Sequence, residues 1–271
     1  MITTKEFAKE IRINVLKMLN NLGFGHYGGS LSVVETLAVL YNDIMKYDPK
    51  NPNWEERDYF VLSKGHAGPA LYSALALKGF FPVEDLLTLN INGTKLPSHP
   101  DRLKTSGVDI TTGSLGQGIS IATGIAKALK IKKKENRVFT IIGDGEAQEG
   151  QVWEAIQFIA HNKLNNLITF IDYNKQQLDG YLEDICKPYS FEEKVKSFGL
   201  DSLTVKGDDI EAIKVAILSK REKPLVIVLD SIKGQGVDYI ENFKGNHHIR
   251  ANEEVKKELE KAINDLQSGV K

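Results

Sequence analysis

Asp144 and Asn174 are the two residues whose chemistry is easiest to name. Asp144 stands in Gly143-Asp144-Gly145, and Asn174 in Asp172-Tyr173-Asn174-Lys175. A carboxylate and an amide oxygen are hard donors of the kind that Mg²⁺ or Ca²⁺ takes. The glycines beside Asp144 let backbone N–H groups approach an anion closely. A metal held by few protein groups shares its remaining positions with phosphate oxygens. The chain also carries six histidines. An imidazole titrates near neutrality and can donate, accept or move a proton. His26, His66, His99 and His247 fall in loops marked by Gly or Pro, where α/β proteins carry function. Taken singly, each is explained as well by a surface or satisfied core histidine, and Gly-Asp-Gly alone is an ordinary turn. His161 lies on a helical stretch and is read as structural.

Positioning those groups requires a strand–helix–strand unit. Residues 138–142 and 167–171 are short β-branched runs, as buried strands tend to be. Between them, 152–161 has apolar residues at helical spacing, which completes a βαβ crossover. In a parallel sheet, ligands sit beyond the carboxyl ends of the strands. Asp144 and Asn174 then face one another across a crevice. Elsewhere, 3–22 reads as an amphipathic helix with Phe7, Ile11, Val15, Met18 and Leu22 on one face. Ser32-Val33-Val34-Glu35 reads as a capping box opening a helix to about Ile44. Residues 58–62, 203–205 and 225–229 read as further strands, and 71–78, 119–132 and 208–221 as helices. Pro82-Val83-Glu84-Asp85 has the composition of a helix start, Ser190–Glu193 of a second capping box, and Asn252 of the cap on a polar last helix. The expected fold is α/β, a mostly parallel sheet with helices on both faces.

Composition excludes several classes. Apolar residues make up 41% and charged residues 26% of 271, ordinary for a soluble protein. The net charge of −1 argues against general nucleic-acid binding. The basic run Lys130–Lys134 reads as a solvated helix end. With Cys186 the one cysteine, no intrachain disulfide can form. No run is long and apolar enough for a membrane helix, and the first residues lack a signal core. The expected location is the cytoplasm. Gly23–Gly28 matches G-x-G-x-x-G, but a helix rather than a strand precedes it, so the match is read as accidental.

Gly-Asp-Gly followed by Asn after an intact strand–helix–strand resembles the thiamine diphosphate fingerprint. Glu149-Gly150, Glu154-Ala155 and Asp172-Tyr173-Asn174-Lys175 resemble transketolases in particular. So do His26-Tyr27-Gly28-Gly29, Ser63-Lys64-Gly65-His66-Ala67, Thr112–Gly118 and Lys233-Gly234-Gln235-Gly236-Val237. The resemblance implies a metal held by Asp144, Asn174 and the backbone carbonyl of Gln176. It implies a cofactor lined by His66, Gly113, Ser114, Leu115, Gly145, Asn174 and His247. It also implies catalytic roles for His26, His99 and His247. His248 is a rival to His247, because Asn246 replaces the aromatic that often precedes the family's histidine. Tyr27 stands where many members have proline.

The implied protein is residues 1–271 as the diphosphate-binding domain of a split transketolase, with the pyrimidine-binding half on a second chain. The implied reaction moves a two-carbon ketol unit from a ketose phosphate to an aldose, with thiamine diphosphate and Mg²⁺. The implied assembly is a dimer of this chain with two partner chains, and Glu149 and Glu154 fall near the family's subunit contact. The polar end at Lys271 reads as a natural terminus. Three alternatives are weighed: the α subunit of a 2-oxoacid dehydrogenase, a split synthase acting on pyruvate, and a cofactor-binding module without turnover.

Overall fold

The computed structural model describes residues 2–178 and 180–269. Lys271, read above as the terminus, lies outside them. Five parallel strands form the central sheet: β1 (Tyr59–Leu62), β2 (Val138–Gly143), β3 (Leu167–Tyr173), β4 (Asp201–Lys206) and β5 (Leu225–Asp230), in the order β1-β2-β3-β5-β4. All four pairings are parallel.

The strands other than the edge strand β4 are apolar on both faces, and their alternation divides the core in two. Phe60, Leu62, Phe139, Ile141, Ile168, Phe170 and Ile227 share one buried cluster with the helices Thr4–Leu22, Val34–Val39, Gly68–Leu77, Ile210–Leu218 and Glu253–Ser268. Val61, Val138, Ile142, Leu167, Ile171, Val226 and Val228 share the other with Gln117–Ile131, Gly150–His161 and Phe191–Ser197. A sheet covered on both faces is what an all-parallel arrangement requires. The α/β expectation holds.

Several local readings hold as well. The first helix runs Thr4–Leu22, and the structure adds a reciprocal capping box between Thr3 and Glu6. Ser190 accepts from the Glu193 N–H, which is half of the expected box, and Asn252 caps through the Val255 N–H. Three readings need correction. Ser32 caps nothing: its hydroxyl donates to Asp172, and Glu35 pairs with Arg12. The helix there begins at Val34 and closes as a π turn over Leu40–Ile44. The segment after Pro82 is only a 3₁₀ stretch, Val83–Thr88. Lys130 is not merely solvated, because its ammonium donates to the carbonyls of Asn162 and Lys163.

The carboxyl ends of the strands gather the loops of interest. Register places Gly143 opposite Asp172, so Asp144 and Asn174 emerge side by side. Ser63-Lys64-Gly65-His66 follows β1, and Ser231-Ile232-Lys233 follows β5. Arg12, Glu35 and Gln235 tie the latter turn to the N-terminal helix: Gln235 donates to Glu35 (3.1 Å), and Arg12 donates to the Gln235 carbonyl (3.2 Å).

Candidate active site

At the end of β2, Asp144 is 2% exposed and accepts the N–H groups of Gly145 (2.8 Å) and Lys175 (2.6 Å). Burial first, and then the neighbouring Asp172 charge, push its carboxyl up to about 7. Asn174 donates through Nδ2 to Asp172 (2.9 Å) and accepts the Gln176 N–H at Oδ1 (3.2 Å). With its amide nitrogen committed to Asp172, the oxygen is the atom whose second lone pair can face a metal. Asp144, Asn174 and the Gln176 carbonyl thus share one end of the crevice.

Asp172 is a buried charged residue at the site, which the sequence places in a motif without giving it a role. It is fully buried, and four segments converge on it. Lys64 (2.5 Å), Ser32 (2.6 Å), Ser231 (2.5 Å) and Asn174 all donate to its two oxygens. Lys64 is itself 1% exposed. A carboxylate this deep is stable only with full pairing. Asp172→Ala leaves the Lys64 ammonium buried and unpaired, so it is expected to cost about 3–5 kcal/mol, read by denaturant unfolding. An unchanged midpoint would show that water or another acceptor reaches Lys64.

Lys233 is a second such residue. Its ammonium faces the carbonyls of Gln176 (3.2 Å) and Gln177 (3.4 Å) and Nδ1 of His247 (3.2 Å). Burial, then the nearby Lys64, lower it to about 8. Glu146 is the third. Its carboxylate accepts from Ser63 (2.5 Å), Gly116 N–H (2.8 Å) and Gly143 N–H (3.0 Å), which pins the Ser114–Gly118 turn to the sheet. One signal for the lysines is present in the sequence: each interrupts the passage from an apolar strand to a glycine turn, where a charged residue has no local reason to be.

The four loop histidines come together. The His26 ring centroid lies 5.5 Å from His66, 6.0 Å from His99 and 5.3 Å from His247, and His66 lies 5.1 Å from His247. His248 also reaches the cluster, 4.9 Å from His26. His161 stays apart as an exposed residue at a helix end, as expected. Among the described residues, no group of three or more His, Cys, Asp or Glu side chains is arranged to hold a metal. The four imidazoles form one cluster of rings, with His247 Nδ1 3.2 Å from the Lys233 ammonium. Burial, followed by His248 and His99, lowers His26 to about 4. Burial, then Lys233, lowers His247 to about 3. Burial, then Lys64, puts His66 well below its usual value, and burial lowers His99. All four are neutral at pH 7, able to donate from one nitrogen and accept at the other.

These shifts carry a sign. Between about 6.5 and about 4, unfolded His26 binds a proton that folded His26 refuses. The resulting stability is complete above 6.5 and is lost as pH falls toward 4. His26→Asn removes this dependence. Wild type is therefore expected to lose more in Tm than the variant between pH 7.5 and pH 5, and parallel Tm–pH curves would contradict the shift.

Comparison with known proteins settles the family. Residues 3–264 match the transketolase thiamine diphosphate-binding domain. The chain belongs to the transketolase family. It is 49% identical over 261 residues to the 6-deoxy-6-sulfo-D-fructose transketolase subunit of Clostridium sp. (strain MSTE9), covering 94% of this chain and 95% of that protein. It is 37% identical to an apulose-4-phosphate transketolase subunit from Actinobacillus succinogenes, covering 93% of each. Among solved structures, transketolase from Campylobacter jejuni superposes with a TM-score of 0.89 at 31% identity, over 97% of this chain but 43% of that one. The chain thus spans less than half the length of that transketolase and nearly all of the proteins named as subunits.

The residues of this transketolase chain fit a metal-bound diphosphate cofactor. The donor set at one end is oxygen, and two buried ammonium groups, Lys64 and Lys233, stand beside it. Glycine is required where the loops close on one another. A Cβ at Gly65 would lie 2.9 Å from the Gly113 nitrogen, and one at Gly29 would lie 2.8 Å from Nε2 of His66. Ser114 and Leu115, by contrast, are exposed.

Proposed function

We propose that this chain is the cofactor-holding subunit of a two-chain transketolase, moving a two-carbon ketol unit from a ketose to an aldose. The observation that supports it best is the meeting of His26, His66, His99 and His247 in one cluster. Cofactor binding alone has no need of His26 and His99. Asp144, Asn174 and the Gln176 carbonyl would hold Mg²⁺, with Ca²⁺ as a substitute. His66, Gly113, Ser114, Leu115, Gly145, Asn174 and His247 would line the cofactor, and Lys64 and Lys233 would balance the diphosphate charge. When bound, thiamine diphosphate supplies a stabilised carbanion equivalent.

This chain's residues bind, orient and handle protons. His26, His99 and His247, neutral at pH 7, would hydrogen-bond sugar hydroxyls and move their protons. The relatives' names mention a sulfonated and a phosphorylated ketose. The donor is therefore inferred to be a ketose with an anionic terminus, phosphate or sulfonate. The reaction belongs in the cytoplasm, as part of carbohydrate metabolism. No helix among the described residues is long and apolar enough to cross a membrane.

The test is steady-state ketol transfer by the two-chain enzyme with donors of both kinds. His66→Ala is expected to weaken cofactor affinity with little loss of turnover once the cofactor saturates. His26→Ala and His99→Ala are expected to lower turnover by about 10²–10⁴-fold at saturating cofactor. Wild-type turnover in His26→Ala would return that residue to a structural role.

A further inference from the structure

His248 has no assigned role, yet the backbone places it opposite His26. Residues Phe24–Gly25 pair antiparallel with Ile249–Arg250, in the register Phe24↔Arg250 and Gly25↔Ile249. The Ala251 N–H donates to the Gly23 carbonyl (2.8 Å), which extends the ribbon at one end. One step beyond the other end, the register sets His26 against His248. Residues directly opposite in an antiparallel pair project from the same face. Their rings accordingly meet edge-on, with centroids 4.9 Å apart at 78°. That is closer than His26 comes to His66, His99 or His247.

The placement is anchored on both sides. Asn246, 1% exposed, donates to the carbonyls of Lys233 (3.1 Å) and Ile240 (3.0 Å). The Gly28 N–H donates to the Asn246 carbonyl (3.0 Å), which joins the His26 loop to the same segment. Ile249, 2% exposed, is in the core. Between these anchors His247 turns inward to Lys233, and His248 remains exposed at the mouth of the cluster. On its far side His248 meets the Phe24 ring at 5.9 Å. His26 therefore has inner neighbours in His66, His99 and His247, and His248 is the ring on its solvent side.

We propose that His248 is a positioning residue: as the cross-strand partner of His26, it is the outer wall that holds the His26 ring toward the cleft. This rests on the assignment of His26 to the reaction proposed above. A free imidazole rotates about two side-chain torsions, and one at the edge of a cleft can swing into water. An edge-on ring from the opposite strand blocks that swing, and Phe24 backs the ring in turn. The essential property is then the shape of the ring rather than its nitrogens. Besides His248, the titratable and charged groups around His26 are His66, His99, His247, Lys64 and Lys233.

The experiment compares His248→Ala with His248→Phe in the two-chain enzyme, after cofactor affinity and Tm are shown to match wild type. Misplacing a reacting group by about 1 Å can cost about 10²-fold in rate. His248→Ala is expected to lower kcat by about tenfold or more, and His248→Phe to stay within about threefold of wild type. Equal losses in both variants would mean that a nitrogen of His248 touches substrate, and would overturn the positioning role. Wild-type kcat in His248→Ala would overturn it too. A second readout needs no turnover. In the full chain, ring-to-ring nuclear Overhauser contacts between His26 and His247 are expected to persist in His248→Phe and to weaken in His248→Ala. Unchanged contacts in His248→Ala would overturn the proposal even if the substrate assignment failed, and absent transfer by wild type would indict that assignment alone.

Discussion

Replacing Asp144 with alanine is expected to abolish metal-dependent cofactor binding and to leave the fold in place. Losing a residue that merely orients a metal ligand costs about 10–100-fold in affinity. Losing the one carboxylate among the three donors should exceed that range. The apoprotein, by contrast, gives up little. Asp144 is buried beside Asp172, and its ionisation is disfavoured by that burial and that neighbour. Removing it discards an unfavourable charge along with the hydrogen bonds from Gly145 and Lys175. The variant should therefore unfold near the wild-type temperature. The measurement is calorimetric titration with thiamine diphosphate, with and without Mg²⁺. Wild type should show affinity that depends on Mg²⁺, and the variant should show none. Wild-type affinity in the variant would remove Asp144 from the metal site, and a large fall in Tm would show that its role is structural.

Much of the fold was legible because its strands are self-contained signals. Residues 138–142 and 167–171 are β-branched runs bounded by glycine and polar turns, and a crossover between them leaves few topologies open. The sheet then dictates that Asp144 and Asn174 emerge together, so that half of the site follows from chain order. The four loop histidines were legible for the same reason, since each lies in a glycine- or proline-marked turn. Other features depend on partners distant in sequence. Ser32 and Glu35 have the spacing of a capping box, but Ser32 donates to Asp172, 140 residues away, and Glu35 pairs with Arg12. Tertiary bonds to buried charges outcompeted a local cap, which is worth only about 1 kcal/mol. Asp172, Lys64 and Lys233 stand in quoted motifs, but their pairing, and Glu146 altogether, were illegible because a buried charge is defined by what surrounds it. His248 is the intermediate case. Its position in the chain makes it a rival to His247, whereas the structure brings both to His26 in different roles, one inward and one at the rim.

The purified chain is expected to be inactive by itself and to gain ketol transferase activity only with a second polypeptide. On the function proposed above, the histidines and oxygen donors here serve the diphosphate end and the substrate. The resemblance to transketolases implies that a glutamate from a different domain protonates the cofactor's pyrimidine ring. Without an acid–base group of that kind, a deficit of about 10²–10⁴-fold or more is expected. The surface near the site is consistent with a partner. Leu115, on the candidate cofactor turn, is 38% exposed, and Ile121 and Phe158 on the two helices beyond it are 38% and 46% exposed. Leu178, Tyr181, Ile185 and Tyr189, in the segment after Gln176, are 48–74% exposed. Exposed apolar side chains in such number are better accounted for by a covering protein than by water. Self-association to a dimer, each copy paired with one partner chain, is the expected arrangement, since twofold symmetry is the commonest closed form. Ketol transfer should be assayed with the chain alone and with its partner, alongside solution mass. Transfer at full rate by a solution of this polypeptide alone would refute the two-chain reading. Activity appearing together with a larger mass would show that the missing acid–base group arrives with the partner, and Glu149 and Glu154 would then be the first residues to test at the contact.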